Sequence, residues 1–164
     1  MQLFLLLKWP IYIIRFSLNL FRRHLAVVMR IRSKAREIAL CALYSTEVSK
    51  LDYKDILRNY FENYPRKNGA KDFSFMLVEG VMKNCPYLNS LIKKYVKNWE
   101  IERMAIIDRN ILRLASFELM FMDDIPPKVS INEAVELAKR FGDIDSPRFV
   151  NGILDKIYKS ESNK

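Results

Sequence analysis

The stretch DIPPKVSINEAVELAKRFGDIDSPRFVNGILDKI, residues 124–157, decides the fold because it encodes two helices joined by a short turn. Pro126-Pro127 stops any preceding helix, since proline lacks an amide donor and restricts the residue before it. Ser130 and Glu133 have the spacing of a capping box, in which each side chain satisfies a free amide at a helix start. The first helix is therefore predicted to begin at Ser130.

The second helix of this stretch follows a predicted turn. Gly142 is expected to end the first helix in the left-handed conformation. Ser146-Pro147 predicts a serine cap followed by proline in the first turn of the next helix. Apolar residues at helical spacing then predict the buried sides of the two helices, Ile131, Ala134, Val135 and Ala138 in the first and Val150, Ile153, Leu154 and Ile157 in the second.

The same periodicity over the rest of the chain predicts an all-α fold of seven helices. With only four glycines in 164 residues, a β-rich fold is disfavoured. The fifth helix is expected to be the longest and central. The helices before the two just described are predicted at about 33–47, 52–63, 70–83, from Pro86 to near Trp99, and 101–122.

Composition argues for a binding module and against an enzyme. The net charge of +9, from 28 basic and 19 acidic residues, suits a polyanionic partner. Cys41 and Cys85 have neither disulfide nor zinc-ligand spacing, which fits a reduced compartment. His24 is the only histidine, and no Gly-rich phosphate loop, nucleophile elbow or metal-ligand cluster is present. We therefore predict no catalytic residues, no metal and no cofactor.

Residues 1–28 form an apolar, basic leader that differs from the rest. Lys8 and Arg15 interrupt any run long enough to span a membrane, and Pro10 is expected to interrupt a helix. Met29 opens RIRSKARE, which looks like a natural start. The leader is expected to be an upstream-start extension; an interfacial amphipathic helix is the alternative.

The strongest binding signal in the residues themselves lies at the start of the first helix. Arg30, Arg32, Lys34 and Arg36 place four cations within seven residues. Positive charges there oppose the helix dipole, so helix stability does not explain them. We predict phosphate contact, the alternative being an ordinary solvated basic segment.

An aromatic residue follows this basic segment along the helix. At 100° per residue, Tyr44 faces away from Ala35 and Ala42. An outward ring close to a cation cluster suits stacking on unpaired RNA bases. Packing of Tyr44 against a neighbouring helix is the alternative.

The turn between the last two helices is a second candidate surface. Free amides at a helix start attract anions, which favours RNA contact there. Phe149 has a core role as its alternative, since it precedes Ile153 by one turn. The candidates are Phe141, Asp145, Ser146, Arg148 and Phe149.

The fifth helix carries a carboxylate on its apolar side. Glu118 falls among Ile107, Ile111 and Leu114, where an unpartnered charge is costly to bury. We predict that Glu118 is a structural hydrogen-bond hub, with partner recognition as the alternative. Asp108 lies at the edge of the apolar side, and Arg109 and Arg113 lie further round.

Three segments together resemble the NusB family of bacterial transcription antitermination factors: RSKAREIALCALYS at 32–45, IDRNILRLASFEL at 107–119, and the stretch at 124–157. The resemblance covers roughly residues 30–158. It implies a seven-helix fold of two small helical subdomains, residues 29–98 and 99–160, meeting near 98–103 and followed by a tail at 161–164.

The resemblance also implies a non-catalytic, cytoplasmic function. Such a factor pairs with NusE, a small-subunit ribosomal protein, binds single-stranded boxA-like nascent RNA, and joins the RNA polymerase antitermination complex. The resemblance assigns RNA contact to the arginine-rich start, to Tyr44 and to the last turn. It places the NusE contact at Asp108, with Arg109 and Arg113. Pro147 stands where relatives often carry a polar residue. A homodimer is left open.

The sequence leaves two other classes of function open. One is an RNA-binding module related to ribosomal RNA methyltransferases; the other is a membrane-anchored interaction protein. For the antitermination function, we expect that Arg32→Glu with Arg36→Glu weakens RNA binding without unfolding the helix.

Overall fold

The computed structural model describes the backbone of residues 8–96 and 101–161, with side chains from residue 26 onward except at position 68. This part of the chain is helical and contains no strand, which confirms the all-α prediction. Two short 3₁₀ segments, Pro65–Ala70 and Ile101–Arg103, join longer elements. The α-helices are α1 Lys8–Ser49, α2 Tyr53–Asn63, α3 Lys71–Lys83, α4 Cys85–Tyr95, α5 Ile106–Phe121, α6 Pro127–Phe141 and α7 Ser146–Glu161.

Helix α1 begins far earlier than the predicted 33–47. Pro10, which was expected to interrupt a helix, is the third residue of α1. A proline in the first turn is tolerated because its missing amide has no intrahelical acceptor there. The expectation at Pro10 is therefore wrong. Within the described residues, no helix has the length and apolar character that crossing a membrane requires.

Helices α2 to α4 follow the predicted turn signals. The Asp52 side chain caps α2 by accepting from the Lys54 amide at 2.9 Å. The segment that contains Pro65 separates α2 from α3, and Pro86 lies in the first turn of α4. The subdomain junction predicted near 98–103 overlaps residues 97–100, which lie outside the described residues.

Helix α5 is central, as predicted, because it packs against α1, α3, α4, α6 and α7. Its residues Ile111 and Leu112 are fully buried. The prediction that this helix is the longest is wrong, since α1 has 42 residues and α5 has 16. The central position of α5 determines which side chains of α1 can reach the core.

Helix α6 begins at Pro127, three residues before the predicted capping box. The Ser130 hydroxyl does not cap; it donates to Glu118 Oε2 on α5 at 2.7 Å. Glu133 instead accepts from the Ser33 hydroxyl on α1 at 2.8 Å. The capping-box prediction is therefore wrong, because both polar groups are used to join helices and not to start one.

Gly142 ends α6, but not in the left-handed conformation. Its φ of −93° and ψ of −175° are extended, so the predicted left-handed cap is wrong. A Cβ at this position would lie 2.6 Å from Ser146 Cβ and 2.9 Å from the Ala138 carbonyl oxygen. Glycine is required here for space between the turn and α7.

We expect Gly142→Ala to lower the free energy of unfolding by about 1–3 kcal/mol, because backbone or Ser146 must shift to admit the methyl group. Gly152→Ala is the matched control: it lies within α7 with no atom near its would-be Cβ. That variant should gain about 0.5–1 kcal/mol from helix propensity. Urea unfolding measures both, and equal effects of the two alanines would contradict the steric explanation.

Candidate nucleic-acid interface

One exposed side of α1 carries residues that the helix repeat brings into line. Arg30, Lys34, Glu37, Cys41 and Tyr44 are spaced by three or four residues, so they share a side of the helix. Arg30 is exposed and Tyr44 is 40% exposed, as the outward prediction for its ring required. We call these five residues, together with Arg140 of α6, the α1 face.

Glu37 organises the cations of the α1 face. Its carboxylate forms ion pairs with Lys34 of the same helix and with Arg140 from the end of α6. The Arg140 guanidinium also lies over the Phe141 ring, 5.2 Å from the ring centroid. Three cations against one carboxylate leave the face positively charged. Glu37 and Arg140 were not predicted from the sequence, although the spacing from Arg30 to Glu37 is two helical turns.

Arg32 and Arg36 lie on another side of α1 and do not join this face. Arg32 donates to Asp124 at 3.0 Å, and its guanidinium lies 5.1 Å from the centroid of the Phe73 ring. Arg32 is half-buried, so only part of its charge faces solvent. The four predicted cations therefore do not form one patch.

Arg36 is a core residue. It is 3% exposed and binds Glu118 in a bidentate pair, with Nε to Oε1 at 2.7 Å and Nη2 to Oε2 at 2.9 Å. Ser130 donates to the same carboxylate. Glu118 is thus the predicted hydrogen-bond hub. The assignment of Arg36 to RNA contact is corrected: its guanidinium is not available to phosphate.

The residues predicted to contact RNA at the turn between α6 and α7 have different environments in the structure. Ser146 is buried, accepts from the Asp143 amide and donates to Asp108 Oδ2, both at 2.9 Å. It is therefore neither the predicted helix cap nor an exposed RNA contact, which corrects both predictions. Phe141 is half-buried and reaches the α1 face through Arg140.

Asp145, Arg148 and Phe149 line a groove of about 460 Å³ beside α4. Asp145 and Arg148 are exposed, whereas Phe149 is half-buried against the core. Phe149 thus has the core contact that was its alternative role. This groove shares no lining residue with the α1 face; its other lining residues are Tyr95, Val96, Gly152, Ile153 and Lys156.

The three residues assigned to NusE are engaged within the chain. Arg109 is 7% exposed and pairs with Glu47, and Arg113 donates to Asn89 Oδ1 at 2.8 Å and to Glu47 at 3.2 Å. Asp108 is buried against Ser146, and this burial raises the pKa of its carboxyl group. Direct docking by Asp108 or Arg109 is not compatible with their burial, so these two assignments need correction.

Glu47 of α1 connects α1 to the start of α5. Burial alone would raise the pKa of Glu47, but the Asn110 hydrogen bond and the Arg109 and Arg113 charges together lower it. The carboxylate is therefore charged at neutral pH and balances two guanidinium groups. Removing that charge leaves Arg109 buried without an ionic partner.

We expect Glu47 to make stability depend on pH. Because its pKa is lower in the folded state, its contribution is present above its unfolded pKa and is lost as pH falls through the folded value. Wild type should lose stability below about pH 4.5 more steeply than Glu47→Gln, which should already be about 1–3 kcal/mol less stable at neutral pH. Urea unfolding across pH, with exposed Glu62→Gln as control, tests this; parallel curves for all three proteins would contradict it.

Known proteins resemble this chain in both sequence and architecture. The NusB family model matches residues 33–159. The transcription antitermination protein NusB of Trichlorobacter lovleyi is 45% identical over 129 residues, which is 79% of this chain and 91% of that protein. NusB of T. maritima has a TM-score of 0.72 at 40% identity, covering 79% of this chain and 91% of that one. A solved complex of antitermination factors NusB and NusE with double-stranded RNA has a TM-score of 0.71 at 29% identity, covering 80% of this chain and 98% of that one.

These similarities confirm the sequence resemblance and the seven-helix fold that it implied. The relatives are named as antitermination proteins, which bears out the prediction of a non-catalytic factor. They do not favour a methyltransferase module or a membrane-anchored interaction protein. The match spans most of the chain and most of the relative's length, so the chain belongs to the NusB family.

Proposed function

We propose that this chain is a cytoplasmic transcription antitermination factor that captures a boxA-like segment of nascent RNA together with NusE. The α1 face is the observation that carries the proposal, because it combines exposed cations with an outward aromatic ring. Relatives named as antitermination proteins support it, as does a structural neighbour solved with NusE and RNA. The RNA polymerase antitermination complex is then the assembly in which the chain acts.

The α1 face suits the chemistry of unpaired RNA. Arg30, Lys34 and Arg140 supply positive charge for phosphates, which sets the position of the strand without selecting its sequence. Tyr44 offers an exposed ring on which an unpaired base can stack, worth about 1–3 kcal/mol per base. Phe141, held beneath Arg140, extends the aromatic surface towards the last turn. Asp145, Arg148 and Phe149 form a second proposed contact.

The proposed NusE-facing region remains the start of α5. Because Asp108 and Arg109 are buried, they would act by fixing the shape of this region. Arg113 is half-buried and is held by Glu47 and Asn89. We propose that NusE contacts the neighbouring exposed surface, and that these ion pairs hold it in place.

Transcription through a terminator tests the function itself. The purified chain and NusE are added to RNA polymerase on a template that carries a boxA-like sequence before a terminator. We expect read-through to rise only when both proteins and the boxA-like sequence are present. A template with a scrambled boxA-like sequence is the control. Equal read-through on both templates, or none on either, would contradict the proposal.

A further inference from the structure

A groove between α1 and α2 lies beside the α1 face. Its volume is about 470 Å³, within the roughly 300–1,000 Å³ typical of small-molecule sites. All of its lining side chains are uncharged, and they include Cys41 and Ser45 of α1, two asparagines and Tyr60 of α2, and Tyr64 at the end of α2. No carboxylate of this lining would repel a nucleic acid.

Two asparagine amides of the groove are arranged as a donor and an acceptor. Asn63 Nδ2 donates to the Asn59 carbonyl oxygen at 2.8 Å and to Asn59 Oδ1 at 2.7 Å. This pairing joins two exposed amides, while Asn59 Nδ2 and Asn63 Oδ1 have no partner among the described residues. A free donor next to a free acceptor complements the polar edge of a nucleobase.

Two tyrosine rings of the groove supply a stacking surface. Tyr60 and Tyr64 have ring centroids 5.1 Å apart, inclined by 36°. Tyr60 is held by an edge contact with Phe61 at 5.2 Å, whereas Tyr64 is 57% exposed. An exposed ring backed by a fixed one is suited to stack on a planar base.

The groove is continuous with the α1 face through Cys41, which belongs to both. Lys34, Glu37 and Arg140 are close enough to Cys41 to act on its thiol electrostatically, so two cations and one carboxylate border the groove. Cys41 is an exposed residue, but partial burial of its thiol in the groove raises the pKa of that thiol, which is therefore uncharged at neutral pH. A strand whose phosphates follow the cations can therefore turn one base into the groove.

We infer that the groove between α1 and α2 holds one unpaired nucleobase of the bound RNA, contacted by the Asn59–Asn63 amide pair and the Tyr64 ring. This inference rests on the proposed function, because it requires RNA on the α1 face. It adds a specificity element that phosphate contacts cannot provide. The uncharged polar lining and the adjacent cations favour a base over an acidic peptide or a second copy of the chain.

RNA binding by the full chain, with matched RNAs, tests this assignment. A set of boxA-like RNAs is prepared, each lacking one base, and affinities are measured by fluorescence anisotropy. Wild type should lose about ten-fold in affinity when the base in the groove is absent. Asn59→Ala with Asn63→Ala, and separately Tyr64→Ala, should weaken intact RNA by a similar factor. Both variants should be insensitive to loss of that same base.

Two controls separate base recognition from general effects. Asn151→Ala removes an exposed amide of α7 that does not line this groove, and it should bind as wild type does. The salt dependence of affinity should be unchanged in the groove variants, because no phosphate contact is lost. Thermal unfolding of each variant confirms that it is folded.

The outcomes separate this inference from the proposed function. Groove variants that bind every RNA as wild type does would overturn the base assignment and leave the proposed function in place. Variants that alter NusE pairing or self-association, but not RNA affinity, would overturn it in favour of a protein occupant. Wild type that ignores all the RNAs would overturn the proposed function as well.

Discussion

Replacing Arg36 by alanine is expected to lower the free energy of unfolding by about 3–5 kcal/mol. Arg36 and Glu118 are both almost fully buried and share two hydrogen bonds. Truncating the arginine leaves the Glu118 carboxylate in the core, with Ser130 as its one remaining hydrogen-bond partner among the residues that the structure describes. A buried charge without its counterion is strongly destabilising. Urea unfolding at neutral pH, analysed with a common m-value, measures the loss.

Arg32→Ala is the matched control for this prediction. Arg32 lies one turn earlier on α1 and also contacts Phe73, but its partner Asp124 is exposed. We expect a loss of less than about 1 kcal/mol. Arg36→Met with Glu118→Leu should recover much of the stability, since an apolar pair carries no unpaired charge. Equal losses for Arg32→Ala and Arg36→Ala would contradict the distinction between surface and core arginines.

The burial of Arg36 also changes the expected outcome of the first mutational test that the sequence suggested. Arg32→Glu with Arg36→Glu was expected to weaken RNA binding without unfolding the helix. A carboxylate at position 36 would be the third at this place, facing buried Glu118 and half-buried Glu133. We now expect that variant to unfold, so it cannot report on RNA contact.

Reversing the charges of the α1 face is the second large prediction. Arg30→Glu with Lys34→Glu should weaken binding to boxA-like RNA by about 10- to 1,000-fold at low salt. Each lost phosphate contact should also lower the slope of log affinity against log salt by about 0.7 for a single strand. The fold should persist, because Arg30 is exposed and the half-buried Lys34–Glu37 pair lies on α1 outside the core. Anisotropy titrations at several salt concentrations measure both quantities.

A variant with the same total charge provides the control. Lys93→Glu with Lys128→Glu alters two exposed lysines, on α4 and at the start of α6, outside the α1 face. Its affinity should fall much less, by about three-fold or below, through long-range repulsion alone. If the two double variants lose affinity equally, RNA is responding to net charge and the α1 face is not its site.

Local sequence patterns predict much of this fold. The periodicity of Val150, Ile153, Leu154 and Ile157 predicts the buried side of α7, and all four residues are buried. Pro126-Pro127 predicts the break between α5 and α6 because proline acts on its own neighbours. Glu118 could be predicted as a hub since a carboxylate on an apolar side needs partners wherever it packs.

Other predictions fail where the outcome depends on tertiary contacts. Ser130 and Glu133 have the spacing of a capping box, but α5 and α1 provide partners for both side chains. Gly142 suggests a left-handed cap, whereas the close approach of α7 explains why glycine is needed there. A pattern along the chain contains no information on which other helix lies against it.

The candidate site likewise combines features that local sequence predicts with features that depend on tertiary contacts. Tyr44 could be placed on the outside of α1 from the helix repeat alone, and it is exposed. Composition does not distinguish the buried Arg36 from Arg30 and Lys34, which belong to the α1 face. The 100° helix repeat and the position of α5 do distinguish them. Arg140 joins the α1 face from a helix more than 100 residues away, through Glu37. Only the packing of α6 against the rest of the chain reveals that contact.

The affinity of the purified chain for boxA-like RNA, with and without NusE, tests the central claim most directly. Single-stranded boxA-like RNA, a scrambled strand and a duplex of the same sequence should be titrated in parallel. We predict specific, salt-dependent binding of the boxA-like single strand that tightens when NusE is present. Equal affinity for the boxA-like and scrambled strands, unaffected by NusE, would contradict the proposed function.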